Sequence, residues 1–366
     1  MSAGDPSGDN AISLVMKSLL QKKPDTKFFG LGHDKLKALG QEQFVNGSRL
    51  AVLGFWEVFK QVLFFKKLMK QCASEIEKRH PKAVILVDYP GFNLRLAKRI
   101  KKLGIPIIYY ISPQVWAWGK GRVQEIKELV DLLLVILPFE HDFFNGHNIK
   151  NEFVGHYLLE DIPSEYISSH PILENRQGLL CVLPGSRNQE VKRMLPPMLK
   201  AASMFTNKYN AKAVVAGIRG IYDYETALQP YKNDNIEVVY DKPRECIYKS
   251  NLLLTASGTA TLETGIIARP MVVVYKTGFI TYQIARRLVS LKNIALVNLV
   301  LNDNVVPELI QTEASPENMF KELSKFMDDS QYYKSVHEKL LRVSSTLGGT
   351  GSSERAADAI LNFIRR

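Results

Sequence analysis

The sequence predicts an α/β protein made of two successive doubly wound, Rossmann-like halves with a cleft between them. Apolar runs without alternation, such as the one over Val84–Val87, are typical of strands buried on both faces of a parallel sheet. Predicted helices follow these runs, so that a βαβα order occurs twice along the chain. The length of 366 residues suits two domains better than a single core.

The composition is that of an ordinary globular protein, with 46% hydrophobic and 23% charged residues. No apolar run reaches the roughly 18 residues that a membrane-spanning helix needs, and no signal peptide opens the chain. The three cysteines form no CxxC pair, which indicates a reduced cytosolic protein. The seven histidines show no metal-ligand spacing, so we expect neither a metal site nor a cofactor.

The chain carries a formal net charge of +11. A charge of this sign and size indicates an anionic partner, which leaves nucleic acid, an anionic membrane surface and phosphorylated substrates open. Charge alone does not choose among these three partners.

The first half begins with a glycine-rich turn over residues 4–9, and a helix is predicted over 10–20. In a doubly wound domain such a turn follows the first strand, and its amides bind a phosphate or a closely approaching ligand. Only three residues precede the turn, so the first strand is predicted to be missing or very short, and we expect a chain that begins late. The candidate ligand contacts of the turn are Gly4, Ser7, Gly8 and Asp9.

A helix predicted over 53–69 carries more apolar surface than one core-facing stripe requires. One stripe holds Phe55, Phe59, Val62, Phe65 and Met69, and Trp56, Leu63, Phe64 and Leu68 lie beside it, with Lys60, Lys66, Lys67 and Lys70 around them. A well-buried helix explains this pattern. Alternatively, the second face enters a membrane surface while the lysines meet anionic headgroups. The candidate membrane contacts are Phe55, Trp56, Lys60, Phe64 and Lys67.

Asp88 directly follows the buried strand at 84–87, and Pro90-Gly91 then turns the chain. In open α/β folds, ligands bind outside the carboxyl ends of the strands. Asp88 is therefore a candidate catalytic residue, although a capping or turn aspartate explains the same pattern equally well.

Further strands are predicted over 107–111, 132–137 and 151–156, with a helix over 123–130. The loop over 112–122 holds Trp116 and Trp118, which either pack in the core or line a sugar or acyl site. Turn-rich residues over 162–177 are the predicted linker between the halves.

The second half has predicted strands over 179–183, 213–216, 237–240, 252–256 and 271–275. Gly185, Ser186 and Arg187 follow its first strand. An arginine fork can hold a diphosphate bidentately and stabilise a leaving group that gains charge. The alternative is an ordinary surface arginine.

Ser257, Gly258 and Thr259 stand at a second strand-to-helix junction. Small residues let the backbone approach a ligand, and helix-start amides with hydroxyls suit a phosphate. Glu263, further along this helix, is a candidate for hydrogen bonds to ribose hydroxyls. An N-cap followed by a glutamate on the helix face is the alternative.

Asn298 is a polar residue in an apolar stretch and therefore needs hydrogen-bond partners. A structural hydrogen bond and a ligand contact explain it equally well. Residues 352–364 predict a final helix.

These motifs together resemble the lipid A disaccharide synthase family of GT-B glycosyltransferases, essentially from end to end. The loop at 112–122 with its SPQVWAW sequence and the LPGSR sequence at 183–187 are the most specific. The resemblance also covers 4–9, 52–55, 88–93, 138–140, 153–156, 256–263 and 297–299.

The resemblance implies the GT-B architecture and a metal-independent, inverting transfer. The family joins UDP-diacylglucosamine to diacylglucosamine 1-phosphate through a β-1′,6 linkage and releases UDP. It acts at the cytoplasmic, inner face of the inner membrane as a peripheral protein. These are therefore the expected substrates, membrane partner and location, and no nucleic acid is expected.

Carried onto this chain, the resemblance makes Asp88 the general base that takes the proton from the acceptor hydroxyl. Arg187 would contact the UDP diphosphate with Gly185 and Ser186, and residues 257–259 would face the phosphates. Glu263 would hold the ribose. The remaining residues are expected to bind or support the substrates: Gly4, Ser7, Gly8, Asp9, Trp116, Trp118, Arg122 and Asn298.

Three departures from the family pattern matter. Gly91 stands where the family usually has a second aspartate, which leaves Asp88 as the only base candidate in its stretch. Asp5-Pro6 replaces Glu-Ala, and Tyr157 replaces a common proline.

We expect an N-terminal Rossmann-like domain over 1–165 that faces the acceptor and the membrane. A C-terminal Rossmann-like domain over 166–348 is expected to bind the UDP-sugar. Residues 349–366 are expected to form a helix that crosses back to the first domain, in a monomer or a homodimer. Two other functions stay open: a GT-B UDP-N-acetylglucosamine transferase or 2-epimerase with soluble substrates, and a basic nucleic-acid- or membrane-binding module. The module would not require Asp88 together with two phosphate loops.

Overall fold

The computed structural model describes residues 1–46, 58–116, 120–168, 178–277 and 293–365. The chain forms two compact units. Unit 1 comprises Met1–Leu158 with Leu347–Arg366, and unit 2 comprises Leu159–Thr346. Phe55, Trp56 and Trp118 lie outside the described residues.

Unit 1 contains a parallel sheet in the order β3-β2-β1-β4-β5-β6-β7 within the described residues. Three of its inner strands, β4, β5 and β6, coincide with continuous apolar runs that the sequence predicted as strands. They are buried along their whole length. The strands are β1 Ser2–Ala3, β2 Phe29–Gly32, β3 Glu42–Asn46, β4 Val84–Val87, β5 Ile107–Tyr110, β6 Leu132–Val135 and β7 Asn151–Phe153.

The helices of unit 1 pack beside this sheet. They are α1 Pro6–Lys22, α2 Asp34–Ala38, α3 Val58–Arg79, α4 Pro90–Ile100, α5 Lys120–Leu129 and α6 Pro138–Gly146, with α7 Leu158–Asp161 at the boundary of the units and α17 Ser352–Ile364 at the end of the chain. A 3₁₀ turn over Lys101–Leu103 follows α4. On the final helix, Ser353 receives a hydrogen bond from Ser18 of α1, at 3.3 Å.

The very short first strand is confirmed, because β1 has only two residues although it lies in the middle of the sheet. It pairs with Leu31 on one side and with Leu86 and Val87 on the other. The ammonium of Met1 donates to the carbonyl of Phe29 at 2.8 Å. A cavity of about 1030 Å³ lies beside these residues.

The predicted turn over 4–9 is wrong in its length, because α1 already begins at Pro6. Asp5 caps this helix by accepting a hydrogen bond from Gly8 N at 2.7 Å, and proline is well suited to the first helical position. Ser7, Gly8 and Asp9 are therefore helical residues.

The helix predicted over 53–69, with its aromatic and lysine side chains, corresponds to α3. Several apolar side chains of its described part face the core. Leu68 and Cys72 are buried, and Phe64 is half-buried against the core. Lys67 is exposed, as are Lys66 and Lys70. Leu68 is therefore part of the core rather than of the proposed membrane-facing surface.

Unit 2 contains a second parallel sheet in the order β10-β9-β8-β11-β12-β13 within the described residues. The strands are β8 Leu179–Leu183, β9 Lys212–Gly217, β10 Ile236–Tyr240, β11 Leu252–Ala256, β12 Met271–Tyr275 and β13 Glu308–Ile310. The helices are α8 Ser164–Ser168, α9 Asn188–Tyr209, α10 Tyr224–Leu228, α11 Pro243–Lys249, α12 Thr259–Ile266, α13 Leu296–Leu301, α14 Pro316–Asp328, α15 Ser330–Leu340 and α16 Val343–Thr346, with a 3₁₀ turn over Gln229–Tyr231.

Candidate functional site

Asp88 lies in a strained turn between β4 and α4. Asp88 and Tyr89 both have left-handed backbones, with φ of +41° and +47°, which is uncommon for residues other than glycine. The amide of Asp88 donates to Tyr110 O at 3.0 Å. Its carbonyl accepts from Tyr109 Oη at 2.6 Å and Asn93 Nδ2 at 2.8 Å. These bonds hold a conformation that the chain would otherwise avoid, as is common at functional sites.

The environment of Asp88 raises the pKa of its carboxyl to about 6. Burial is the main cause, because it disfavours the charged form. The negative charge of Asp5 adds to it, and a hydrogen bond from the backbone of Tyr89 opposes it. A carboxylate with a pKa in this range is well matched to proton removal near neutral pH.

Two residues of the predicted glycine-rich turn lie against other parts of unit 1. A Cβ atom at Gly4 would lie 2.3 Å from the ring of Tyr89, so this position requires glycine. Ser7 Oγ lies 3.1 Å from the hydroxyl of Tyr157. Gly4 therefore allows the first loop to approach the residue next to Asp88.

Asp9 has a structural role within unit 1. Its carboxylate is 2% exposed and accepts from the amides of His33 at 2.6 Å and Lys35 at 3.1 Å. It therefore binds the backbone at the start of α2.

Trp116 is held by a buried carboxylate that the sequence did not single out as a site residue. Glu140 is 2% exposed and its Oε1 accepts from Ser112 Oγ at 2.6 Å and Trp116 Nε1 at 3.0 Å. Its Oε2 accepts from the amide of Leu137 at 3.1 Å. Burial raises the pKa of Glu140 to about 7, against these hydrogen bonds.

Arg122 is exposed on α5. Its charge acts on Tyr109, whose hydroxyl contacts the Asp88 carbonyl. Burial, together with the charge of Asp88, raises the pKa of Tyr109, and Arg122 opposes this rise.

Sequence reasoning missed Asp5, Asn93 and Tyr109, which act on Asp88, and it missed Glu140, which binds Trp116. Asn93 falls within a motif that carried the family resemblance, and so does Glu140. Asp5 was considered only as a departure from the family pattern. Nothing in the local pattern around Tyr109 indicates that its hydroxyl reaches across to β4.

In unit 2, Arg187 lies in a loop directly after β8. Gly185 has φ of +113°, a conformation that favours glycine. Arg187 is exposed and pairs with Glu190 at 2.9 Å, while the amide of Ser186 donates to the same carboxylate at 3.3 Å. An exposed ion pair of this kind contributes little to stability, so the guanidinium can exchange its partner for an anion.

Ser257 follows β11, and Thr259 begins α12. The amide of Ser257 donates to Val274 O at 2.9 Å. Because Thr255 pairs with Leu183 across β11 and β8, the loops that follow these two strands lie at the same edge of the sheet. The loops at 185–187 and 257–259, both predicted to contact phosphates, are therefore neighbours in unit 2.

Glu263 is joined to Arg244 by an ion pair of 2.8 Å. The same guanidinium pairs with Asp161 at 2.5 Å. The carboxylate proposed for the ribose is thus held in one place by an arginine.

Asn298 is 1% exposed and bonds entirely within the protein. Its amide nitrogen donates to Val306 O at 2.9 Å and Glu308 Oε1 at 2.8 Å. Its amide oxygen accepts from the amides of Val305 and Val306, each at 3.0 Å. These contacts favour the structural interpretation of this residue over a direct ligand contact.

The described part of the chain contains neither a candidate metal centre nor a candidate membrane span. Within the described ranges, no cluster of three or more His, Cys, Asp or Glu residues is arranged to hold a metal ion. Among the described helices, none is both long and apolar enough to cross a membrane.

Two parallel sheets with these strand orders define a glycosyltransferase fold of the GT-B class. A UGT transferase from Siraitia grosvenorii in complex with UDP has this fold, with a TM-score of 0.64 and 11% identity over 99% of this chain and 98% of that one. A UDP-GlcNAc 2-epimerase from Neisseria meningitidis, bound to UDP-GlcNAc, has a TM-score of 0.62 and 10% identity over 98% and 97%.

A family model for lipid-A-disaccharide synthetase matches residues 1–361. A lipid-A-disaccharide synthase of Anaeromyxobacter dehalogenans is 36% identical over 99% of this chain and 96% of that protein. The chain therefore belongs to the lipid A disaccharide synthase family and is a glycosyltransferase of lipid A biosynthesis. This finding confirms the family predicted from the sequence motifs.

Proposed function

We propose that this enzyme transfers diacylglucosamine from UDP-2,3-diacylglucosamine to the 6-hydroxyl of 2,3-diacylglucosamine 1-phosphate. The product has a β-1′,6 linkage, and UDP is released with inversion at the anomeric carbon. The observation that carries the proposal is Asp88, a partly buried carboxyl whose pKa is raised to about 6, in a turn with an uncommon left-handed backbone.

In the proposed reaction Asp88 takes the proton of the acceptor hydroxyl as that oxygen attacks the anomeric carbon. The bond from this carbon to the UDP oxygen breaks, and its electron pair leaves with UDP. Arg187, with residues 257–259, stabilises the charge that UDP gains, because preorganised donors act most strongly where charge develops. One base and one stabilised leaving group suffice for a single displacement.

The other predicted site residues have supporting roles in this proposal. Gly185 and Ser186 shape the loop that carries Arg187, and Glu263, held by Arg244, contacts the ribose. Trp116 and Arg122 support the acceptor side.

The test of this proposal is a transfer assay with the two acylated substrates. We expect the disaccharide 1-phosphate and an equal amount of UDP, and EDTA should leave the rate unchanged. Failure of a folded protein to form the disaccharide would contradict the proposal. Conversion of UDP-N-acetylglucosamine to its 2-epimer instead would favour the alternative function with soluble substrates.

We also propose that the enzyme binds peripherally to the inner face of the inner membrane. The support is the exposed lysines of α3, Lys66, Lys67 and Lys70. At about 1 kcal/mol for each basic residue near an anionic surface, three lysines permit reversible binding.

Liposome flotation tests the membrane proposal. Changing these three lysines to glutamate should reduce flotation with anionic vesicles. The matched control changes Lys192, Lys212 and Lys321 to glutamate, which alters the net charge equally from exposed positions in unit 2. Equal flotation of both triple variants would contradict the proposal.

A further inference from the structure

Asn298 has no hydrogen-bonding capacity left for a ligand. A side-chain amide offers two donor hydrogens and two acceptor lone pairs. Both donors reach Val306 and Glu308, and both acceptor positions are taken by Val305 and Val306. The contribution of Asn298 to the enzyme must therefore pass through the groups that it holds.

Glu308, on β13, is the most strongly bound of these groups. Besides Asn298, its carboxylate accepts from the amides of Ile294 at 2.7 Å and Ala295 at 3.1 Å. Hydrogen bonds to an ionised acceptor are roughly twice as strong as neutral ones. Since Ala295 is the N-cap of α13, Glu308 fixes the point at which that helix begins.

Ile294 connects this cluster to Ser257. Its carbonyl accepts from Ser257 Oγ at 3.4 Å. This distance exceeds the roughly 2.5–3.0 Å that is usual for a hydroxyl donor, so the contact is weak and the hydroxyl can turn to a better acceptor at little cost. The backbone of Ser257 stays fixed, because its amide is bonded to Val274.

We propose that Glu308 and Asn298 are positioning residues for the diphosphate of the UDP-sugar. They hold the Ile294 carbonyl beside Ser257, where it gives the hydroxyl a weak acceptor that a phosphate oxygen replaces when UDP binds. Neither residue touches the nucleotide. The inference rests on the proposed function, because it takes UDP as the ligand of residues 257–259.

The charge of Glu308 agrees with this role. A free carboxylate close to a diphosphate would repel it. In this structure the carboxylate instead accepts three hydrogen bonds, from Asn298, Ile294 and Ala295. These donors compensate its charge.

The test is the affinity for UDP, measured by calorimetry on the full chain. Glu308→Gln keeps the shape of the side chain but turns an amide N–H₂ toward the N–H of Ile294, so that bond is lost. Glu308→Gln and Ser257→Ala should each weaken UDP binding roughly three- to tenfold, as expected for one hydrogen bond. The matched control is Glu313→Gln, whose carboxylate accepts only the long 3.4 Å bond from Ile310 N among the hydrogen bonds described for it, and it should bind UDP as the wild type does.

A double-mutant cycle separates positioning from a general structural role. If Glu308 acts through Ser257, the double variant should bind UDP no more than about twofold more weakly than the weaker single variant. Additive losses would overturn the inference, as would a Glu308→Gln variant that behaves like Glu313→Gln.

Two further outcomes keep the test decisive. Unchanged UDP binding in Ser257→Ala would overturn the inference even if Glu308→Gln did not fold, which circular dichroism would reveal. A wild-type protein that does not bind UDP would overturn the proposed function as well, whereas the other negative results leave the proposed transfer reaction intact.

Discussion

The two sheets share one strand order over six strands but carry different side chains at the same place in that order. In each unit the fourth strand lies beside the first, as β4 beside β1 and β11 beside β8. Asp88 follows β4, and Ser257 follows β11. One position thus holds a partly buried carboxyl with a raised pKa, and the other holds a hydroxyl at a helix start. The fold thus places a polar side chain at the same point of both units, where our proposal assigns proton transfer to Asp88 and anion binding to Ser257.

The first strands differ as well. β8 has five residues and pairs along its length with β9 and β11, whereas β1 has two. β1 therefore forms a shorter ladder with its two neighbours than β8 forms in unit 2.

The largest effect should come from Asp88→Asn. If Asp88 is the base and unit 2 binds the nucleotide, kcat should fall roughly 10²- to 10⁴-fold while the affinity for UDP stays unchanged. Steady-state kinetics and calorimetry measure the two quantities. Asp142→Asn, an exposed carboxylate in the same unit, is the control. A loss of UDP binding in Asp88→Asn would break the proposed division between the units.

Arg187→Ala should show the complementary pattern. Losing a charge-assisted contact to the diphosphate should weaken UDP binding roughly 10- to 100-fold. Arg193→Ala, an exposed arginine of the following helix α9, is the matched control. Equal affinities of the two variants would show that Arg187 does not contact UDP.

Asp88→Asn should also make the protein more stable at neutral pH. The pKa of Asp88 is raised to about 6 in the folded state, so the folded state binds the proton more tightly than the unfolded one. The wild type therefore loses stability as pH rises from about 4 to about 6, by roughly 1–3 kcal/mol. Urea denaturation at pH 4.5 and 8 should show a clearly larger gain for Asp88→Asn at pH 8 than at pH 4.5. Equal gains at both values would assign the effect to something other than this ionisation.

The sequence predicted the inner strands well, because burial on both faces leaves an unbroken apolar run. The bounds of β11 and β12 were predicted residue for residue. The edge strands β3 and β13 were missed, since polar residues such as Gln43 and Glu308 interrupt their pattern. The start of α1 was misplaced because its cap and first proline lie within a glycine-rich segment.

The candidate site was predicted only in part, because a sequence shows local pattern but not the contacts that tertiary structure brings together. The position of Asp88 at a strand end follows from local pattern. Its raised pKa depends first on burial and then on the charge of Asp5, and both come from tertiary structure. Likewise, the polarity of Asn298 predicted a need for partners, but not that Glu308 would be one of them.

The most direct test of the central claim is the pH dependence of kcat/KM for the transfer. If Asp88 must be ionised to take the proton, activity should fall as pH drops through about 6, the value to which its pKa is raised. Asp5→Asn removes a negative charge that contributes to this rise, so it should move the acidic limb to lower pH, whereas Asp142→Asn should leave it in place. An acidic limb that is absent, or that does not move in Asp5→Asn, would contradict the assignment of Asp88 as the base.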